Sequence, residues 1–578
     1  MRPFSRASLR DLLDMRLGGF GDCAALIAAL GGGALNNPLL YDVPLIRLLS
    51  FAASTAGASW LTSRYARMAK RRTFNSPVHI NSDPMVEPID FSKDWGGMLI
   101  GYTVDGARPV VIPWSDWMQH GMIIGRSGMG KTVLLELLMF QQIGMGGGVF
   151  NIDAKIDSDN LLKITAMCEY WGRRHQLKLV NPGNPDLSNT YSPILHGDAD
   201  EVASRIISLI PSAETSPGAD FYRQGSLEAT TIFVRSIKQT GLAYTFRDLS
   251  ILLQNEKAMM YLMSMLPANS EAAGMFKIFL ERFKTSDRQG NSRIDTNKIL
   301  GMFGGVAGRL FSFGEGNFGK ITETYSPEVS LYDDIMANSI IYTALPTMGK
   351  SESALNFAKM MIGDWRSALA RIQSIPKSLR PSPPTLGAFD EAGGYINQPW
   401  GRILEQARSA NQAVIPAFQT NANLEAQGKE LAEMITGNMA TMVAFALGTE
   451  STTEMVSEAM GHEMVSEIST GMASGGGESA TAGTGMKQSA SRNVGMNYSE
   501  KESEVLRVPA DALKAIYKGE AIVSINKVKV AHVRIPRVEF SDAFMKYCDT
   551  PQVNRSKPKY VKGMNMFQKF GRPDDAQT

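Results

Sequence analysis

The stretch His120-Gly-Met-Ile-Ile-Gly-Arg-Ser-Gly-Met-Gly-Lys-Thr-Val-Leu-Leu-Glu-Leu-Leu constrains this chain most. An apolar strand runs through glycines into an apolar helix, and Gly125 to Thr132 fit GxxxxGK[ST], the signature of a phosphate-binding loop. The backbone N–H groups of Gly125, Arg126, Ser127, Gly128, Met129 and Gly130 can close around phosphate oxygens at a helix N-terminus, where the helix dipole also favours negative charge. Lys131 is expected at the β- and γ-phosphates, and Thr132 is expected to offer its hydroxyl to a magnesium ion. A chance match would not also supply the strand before and the helix after.

A second strand, Gly148-Val-Phe-Asn-Ile-Asp-Ala-Lys-Ile-Asp157, follows the first helix and ends in charged residues. Asp153 and Lys155 therefore fall at a strand's carboxyl end, where open α/β sheets place their ligands. Whether they touch a nucleotide or shape the loop stays open from sequence. Much later, Pro384-Thr-Leu-Gly-Ala-Phe-Asp-Glu-Ala-Gly-Gly394 is a short apolar strand ending in Asp390 and Glu391. Asp390 is expected to hold the magnesium through water, together with Thr132, and Glu391 to orient or deprotonate the attacking water. The next strand, Ala413-Val-Ile-Pro-Ala-Phe-Gln419, ends in a neutral amide suited to sensing a γ-phosphate. Arg408 precedes it at the end of a helix, and a guanidinium delivered there by a neighbouring subunit would stabilise the transferring phosphate. Its plainer reading is a surface salt bridge.

Composition narrows the class. The 578 residues exceed what one core can organise, and 44% hydrophobic with 20% charged residues excludes a wholly disordered or fibrous chain. Three cysteines, Cys23, Cys168 and Cys548, are too far apart for a CxxC metal knuckle or a disulfide framework. The net charge of +2 is unevenly spread: residues 1–75 hold ten Lys/Arg against four Asp, leaving 49 basic and 53 acidic groups in the remainder. Within that basic segment two apolar stretches, 17–35 and 43–61, approach the roughly 20 residues that cross a bilayer as a helix. Asp22 and Arg47 interrupt them, each costing about 2.5 to 3.5 kcal/mol at the midplane but less near a segment end. Basic residues flank the outer ends of the pair and are absent from the turn at 36–42, so both ends are expected on the cytoplasmic side.

Taken together, GRSGMGKT, FNIDAKID, the NPG and TYSPI text of 181–194, FDEAGGY and QAVIPAFQT, following a membrane hairpin, resemble the coupling ATPases of type IV secretion systems, the conjugative family related to the FtsK and HerA translocases. The likeness spans roughly residues 95–540 plus the hairpin. It implies an α/β fold, a RecA-like P-loop motor with an inserted all-α domain, preceded by a two-helix transmembrane hairpin. It also implies ATP and Mg2+ as ligands, a homo-hexamer around a central channel, and anchorage in the bacterial inner membrane with the main body in the cytoplasm. Implied partners are relaxase-bound single-stranded DNA, secreted effector proteins, and other inner-membrane components of the secretion system.

The domain reading follows. Residues 1–75 form the hairpin, 76–197 and 325–540 the two parts of the motor, and 198–324 the insertion, where helix-period text replaces strand runs. Arg282, Lys284, Arg288, Arg293, Lys298 and Arg309 give the insertion a modest basic cluster, read as a solvated helix face. Residues 463–503 are too poor in large apolar groups to bury a core and are expected to form a flexible loop. Residues 541–578 read as a flexible basic tail. Two other functions compete with a translocase: a membrane-anchored docking factor whose nucleotide site is structural, and an FtsK-like DNA pump. Glu391 argues against the first, since docking needs no residue to activate water. The absence of winged-helix text and of further spans argues against the second.

Overall fold

A computed structural model describes residues 48, 52–57, 59, 79–80, 95–104, 108–210, 219–286, 292–397, 399–426, 428–476, 492–548, 553–556 and 560–570. In chain order the strands are β1 (His79–Ile80), β2 (Gly97–Thr103), β3 (Pro109–Pro113), β4 (Gly121–Ile124), β5 (Val149–Asp153), β6 (Leu177–Val180), β7 (Lys284–Ser286), β8 (Ser292–Ile294), β9 (Ile340–Ala344), β10 (Thr385–Asp390), β11 (Gln412–Phe418), β12 (Thr441–Ala444), β13 (His462–Gly476), β14 (Arg492–Leu506), β15 (Glu520–Ile525), β16 (Lys529–Arg534) and β17 (Arg537–Val538).

Eleven of these form one sheet in the order β3-β2-β16-β15-β12-β4-β11-β10-β5-β9-β6. From β12 to β6 every pair is parallel, and the β15, β16, β2, β3 flank is antiparallel. Strands β4, β5, β9, β10, β11 and β12 are buried along their whole length, so their sequences are near-continuous apolar runs rather than alternating ones. The Lys131–Gly144 helix covers one face through Leu134, Leu137, Leu138 and Ile143, and the Ser351–Gln373 helix covers the other through Phe357, Met361 and Trp365. All the parallel strands end at the same edge of this sandwich, and that edge carries the site.

Between β6 and β9 the chain leaves the sheet for helices at Ala199–Ile207, Ala219–Gln239, Phe246–Leu252, Glu256–Met265, Glu271–Glu281, Thr296–Gly314 and Gly316–Thr322. Their starts are written locally: Asp198 with Glu201 and Thr245 with Asp248 make reciprocal capping boxes, and Asn255, Ser270 and Asp295 cap alone. Phe233, Phe276, Phe279, Phe283 and Phe303 stack edge-on and tilted in their core. The insertion is not wholly helical. The strands β7 and β8 pair antiparallel from Lys284↔Ile294 to Ser286↔Ser292, and Ile294 packs into the buried core. Three of the cations there meet acids: Arg282 meets Glu228 at 2.9 Å, Lys284 meets Glu281, and Lys298 lies 3.8 Å from Asp295.

Two further expectations are corrected. Much of 463–503 is a two-stranded ribbon, β13 paired with β14 over 15 residues each, from His462↔Leu506 to Gly476↔Arg492. Low apolar content forbids a core but not backbone pairing, which a hairpin supplies for itself. The described part of the basic tail is docked. Its described residues 553–556 and 560–570 run over the motor edge and the insertion, with Met564 and Met566 fully buried. Among the described residues no helix is long and apolar enough to cross a membrane, and the expected spans lie almost entirely outside those residues.

Candidate nucleotide site

The loop after β4 rises into the Lys131–Gly144 helix, and its glycines serve distinct purposes. Gly128 at φ +75° and Gly130 at φ +124° occupy backbone conformations that side chains disfavour, and a Cβ on Gly125 would sit 2.6 Å from that of Phe445. The loop is anchored from both sides: Arg126 N–H donates to Ala446 O at 2.9 Å, and Gly519 N–H donates to Met129 O at 3.0 Å. Lys131 is 7% exposed, and its ammonium donates to the loop carbonyls of Gly125 at 2.7 Å and Arg126 at 3.1 Å. Burial pulls its pKa below the ordinary lysine value, while the Asp390 carboxylate works the other way. The cationic head thus lies inside the curl of the loop backbone.

Opposite the loop, β10 and β5 run side by side with Asp390 level with Asp153. The Thr132 hydroxyl donates to Asp390 Oδ2 at 2.7 Å, which brings a hydroxyl and a carboxylate into the hard-oxygen pair that suits magnesium. Asp153 accepts from Tyr342 at 2.8 Å and Asn160 at 3.3 Å, and burial followed by the charge of Asp390 pushes its carboxyl up to about 6. Behind Thr132 and Asp390 lies a cavity of about 20 Å³, also lined by Asn151, Asp153, Asn160 and Tyr342. That is room for one water among polar partners.

Glu391 adopts φ +49°, ψ +40°, the left-handed region that a non-glycine residue takes at some cost. Its N–H donates to Asp390 Oδ1 at 2.9 Å, and the Tyr395 hydroxyl braces the turn by donating to Asp390 O at 2.9 Å. The carboxylate takes a hydrogen bond from Gln419 Nε2 at 3.0 Å and an ion pair from Lys155 Nζ at 2.6 Å, both on Oε1. Lys131, Thr132, Asp390, Glu391 and Gln419 therefore converge at one sheet edge. Arg408 does not join them. It is exposed in a 3-10 turn, Ala407–Ala410, that feeds the amino end of β11, so the length of that strand separates it from Gln419.

Three site features escaped the sequence reading. Tyr342 and Asn160 were not singled out, although a tyrosine inside the apolar run of 340–344 was the available signal. Phe445, the wall behind Gly125, follows β12 and could be found only in three dimensions. Asp157 turns out to cap the Ser158–Tyr170 helix through Asp159 N–H at 2.9 Å.

The doubly covered parallel sheet with this loop and acidic strand end defines a P-loop motor fold. Within that class, residues 384–511 match the family described as the TraM recognition site of TraD and TraG. The type 4 coupling protein DotL of Legionella pneumophila strain Philadelphia 1 is 23% identical over 397 residues, which cover 59% of this chain and 48% of DotL. This chain therefore aligns with about half the length of that curated relative. The conjugative coupling protein TrwB, solved without its N-terminal 70 residues, superposes with a TM-score of 0.51 at 14% identity, covering 77% of this chain and 90% of TrwB. TrwB in complex with a non-hydrolysable ATP analogue gives 0.51 at 14% identity over 80% and 93%, and its complex with ADP and Mg2+ gives 0.50 at 14% over 75% and 89%. The chain is thus similar in sequence to a type 4 coupling protein over part of its length and shares the fold of TrwB.

Proposed function

We propose that this protein is a membrane-anchored ATPase that couples cargo to a type IV secretion channel and drives its transfer. The observation that carries the reading is the convergence of Lys131 and Thr132 with Asp390, Glu391 and Gln419 at one sheet edge. The chain's residues fit ATP and magnesium: the Gly125–Gly130 curl has no room for a Cβ at Gly125, a buried ammonium sits within it, and the Thr132–Asp390 oxygen pair stands beside it. Bound Mg-ATP supplies the reactive phosphoryl group and neutralises part of its charge. Around it Lys131 would give positive charge to the phosphate oxygens, Thr132 and Asp390 would hold the magnesium, Glu391 would accept a proton from water, and Gln419 would sense the terminal phosphate. Because Arg408 lies at the far end of β11, any role for it in hydrolysis falls on the site of an adjacent copy in a hexamer.

Two features support the cellular setting. The basic, apolar 1–75 segment fits an inner-membrane hairpin at 17–35 and 43–61 with the motor in the cytoplasm. Residues 384–511 match a family described as the TraM recognition site of TraD and TraG, which supports docking to a partner protein. Cargo of single-stranded DNA with its relaxase, effector proteins, or both fits this class. In detergent-solubilised full-length protein, Lys131→Ala should lower phosphate release by about 10²-fold or more. Retention of the wild-type rate by that variant would overturn the ATPase reading.

A further inference from the structure

We propose that Lys155 positions Glu391 for its action on water and is not a phosphate ligand. The inference rests on the ATPase reading and adds a role for a residue whose place sequence left open. Strands β5 and β10 are adjacent and parallel, with Asp153 level with Asp390. Lys155 stands two residues beyond Asp153 and Glu391 one beyond Asp390, so the two side chains start from neighbouring strand ends. The stem of Lys155 begins from a fixed turn, since its own N–H donates to Asp153 Oδ1 at 3.0 Å. Its ammonium then meets Glu391 Oε1 at 2.6 Å.

Glu391 needs such a restraint. Its backbone is fixed by the left-handed turn and the bond to Asp390, but three side-chain torsions remain free beyond it. Lys155 and Gln419 reach it from two other strand ends and converge on the same oxygen. Among the described residues nothing donates to Oε2. Tethering one oxygen while leaving its twin as proton acceptor is the arrangement a water-activating carboxylate requires, and holding it in advance spares the transition state that ordering. The phosphate role is meanwhile filled by Lys131, whose ammonium lies within the loop's carbonyls. The contact the Lys155 ammonium makes is instead to a carboxylate, at 2.6 Å.

The test uses the full-length protein with Lys155→Met and Lys155→Arg, reading kcat and KM for ATP, the affinity for mant-ATP, and thermal melting. Lys155→Met should lower kcat by roughly 10- to 100-fold with KM and mant-ATP affinity within about twofold of wild type, the signature of a lost transition-state interaction. Lys155→Arg keeps charge and reach and should restore most of the rate. In a Glu391→Gln background Lys155→Met should cause no further loss, because the carboxylate it positions is gone. If Lys155→Met instead raises KM and weakens mant-ATP binding with kcat intact, the residue is a phosphate ligand and the inference falls. It falls equally if kcat is unchanged or if the losses with Glu391→Gln are additive. Should Lys155→Met fail to melt cooperatively, Lys155→Gln carries the same comparison. Loss of hydrolysis in Lys131→Ala with wild-type kcat in Lys155→Met would sink this inference alone, whereas a fully active Lys131→Ala would sink the ATPase reading beneath it.

Discussion

Arg205 is 2% exposed, and a guanidinium so placed demands an account. Its Nη1 meets Asp364 Oδ1 at 2.9 Å and donates to the carbonyls of Pro193 and His196 at 2.7 Å each, while Nε and Nη2 find no partner among the described residues. The Tyr191 hydroxyl donates to the other Asp364 oxygen at 2.9 Å. The TYSPI text thus supplies a phenol and a carbonyl to a buried charge pair that joins the first helix of the insertion to the Ser351–Gln373 helix of the motor. Burial raises the Asp364 pKa, and Arg205 and Tyr191 pull it back. Removing one partner leaves the other charged and buried, so Asp364→Ala should lower unfolding free energy by about 3 to 5 kcal/mol. The double replacement Arg205→Met with Asp364→Leu should recover most of that loss, since no charge is left stranded. Denaturant titration of the three proteins decides it, and equal instability of the single and double variants would refute the argument. The motif was visible in the sequence, but its reason was not: Asp364 is far along the chain and carries no local signal.

At the scale of elements, β11 holds a proline that a central strand should reject. Pro416 has no N–H to give, and β4 pairs with β11 only from Ala417 onward. Before that point the ring of His120 stands in for a strand: Nδ1 accepts from Val414 N–H at 3.2 Å, and Nε2 lies 3.0 Å from Leu404 O. Those two bonds define the neutral ring with its proton on Nε2. Burial lowers the pKa to about 4, partly offset by the Leu404 carbonyl, with the charge of Arg408 acting in the same direction as burial. A depressed histidine pKa contributes stability that is present above about 6.5, where the unfolded ring is neutral, and lost as pH falls toward 4. Relative to His120→Asn, which tolerates the positive φ, the wild type should lose about 2 to 3 kcal/mol more between pH 6.5 and 4. Parallel pH curves for the two proteins would disprove this. The strands carrying Gly125 to Thr132, Asp390 and Gln419 were legible because fully buried parallel strands write themselves as apolar runs ended by polar residues. Strands β6 and β9 were passed over, and with them Tyr342. The ribbon was misread for the opposite reason, since its Gly/Ser/Thr text carries no burial pattern and its order comes from backbone pairing alone.

On the scale of the whole molecule, charge and the docked tail bear on how the insertion is held to the motor. Residues 76–578 carry a slight acidic excess, so contacts to nucleic acid would be confined to a limited surface such as a channel wall. The tail reads as a solubilising run of lysines and aromatics, yet several of its described residues meet partners in the folded protein. Asn554 donates to the carbonyls of Arg174 and Leu177 at 2.5 and 3.0 Å on the motor edge, and Arg555 pairs with Glu328 at 3.1 Å. Farther on, Met564 N–H donates to Ala243 O at 2.9 Å, Met566 N–H donates to Asp248 Oδ1 at 2.7 Å, and Phe567 lies under Arg247 at 4.6 Å. The segment is a strap from β6 to the Phe246–Leu252 helix. Burying the Met564 and Met566 side chains contributes up to about 1.5 to 3 kcal/mol each. A variant ending at Cys548 should therefore keep its motor but loosen the insertion. By hydrogen exchange, amides around 243–252 and 325–329 should exchange at least about tenfold faster, with those of the Lys131–Gly144 helix unchanged. Exchange that stays at the full-length rate in 243–252 would show the strap to be a passenger, and acceleration in the Lys131–Gly144 helix would show that it supports the motor core as well.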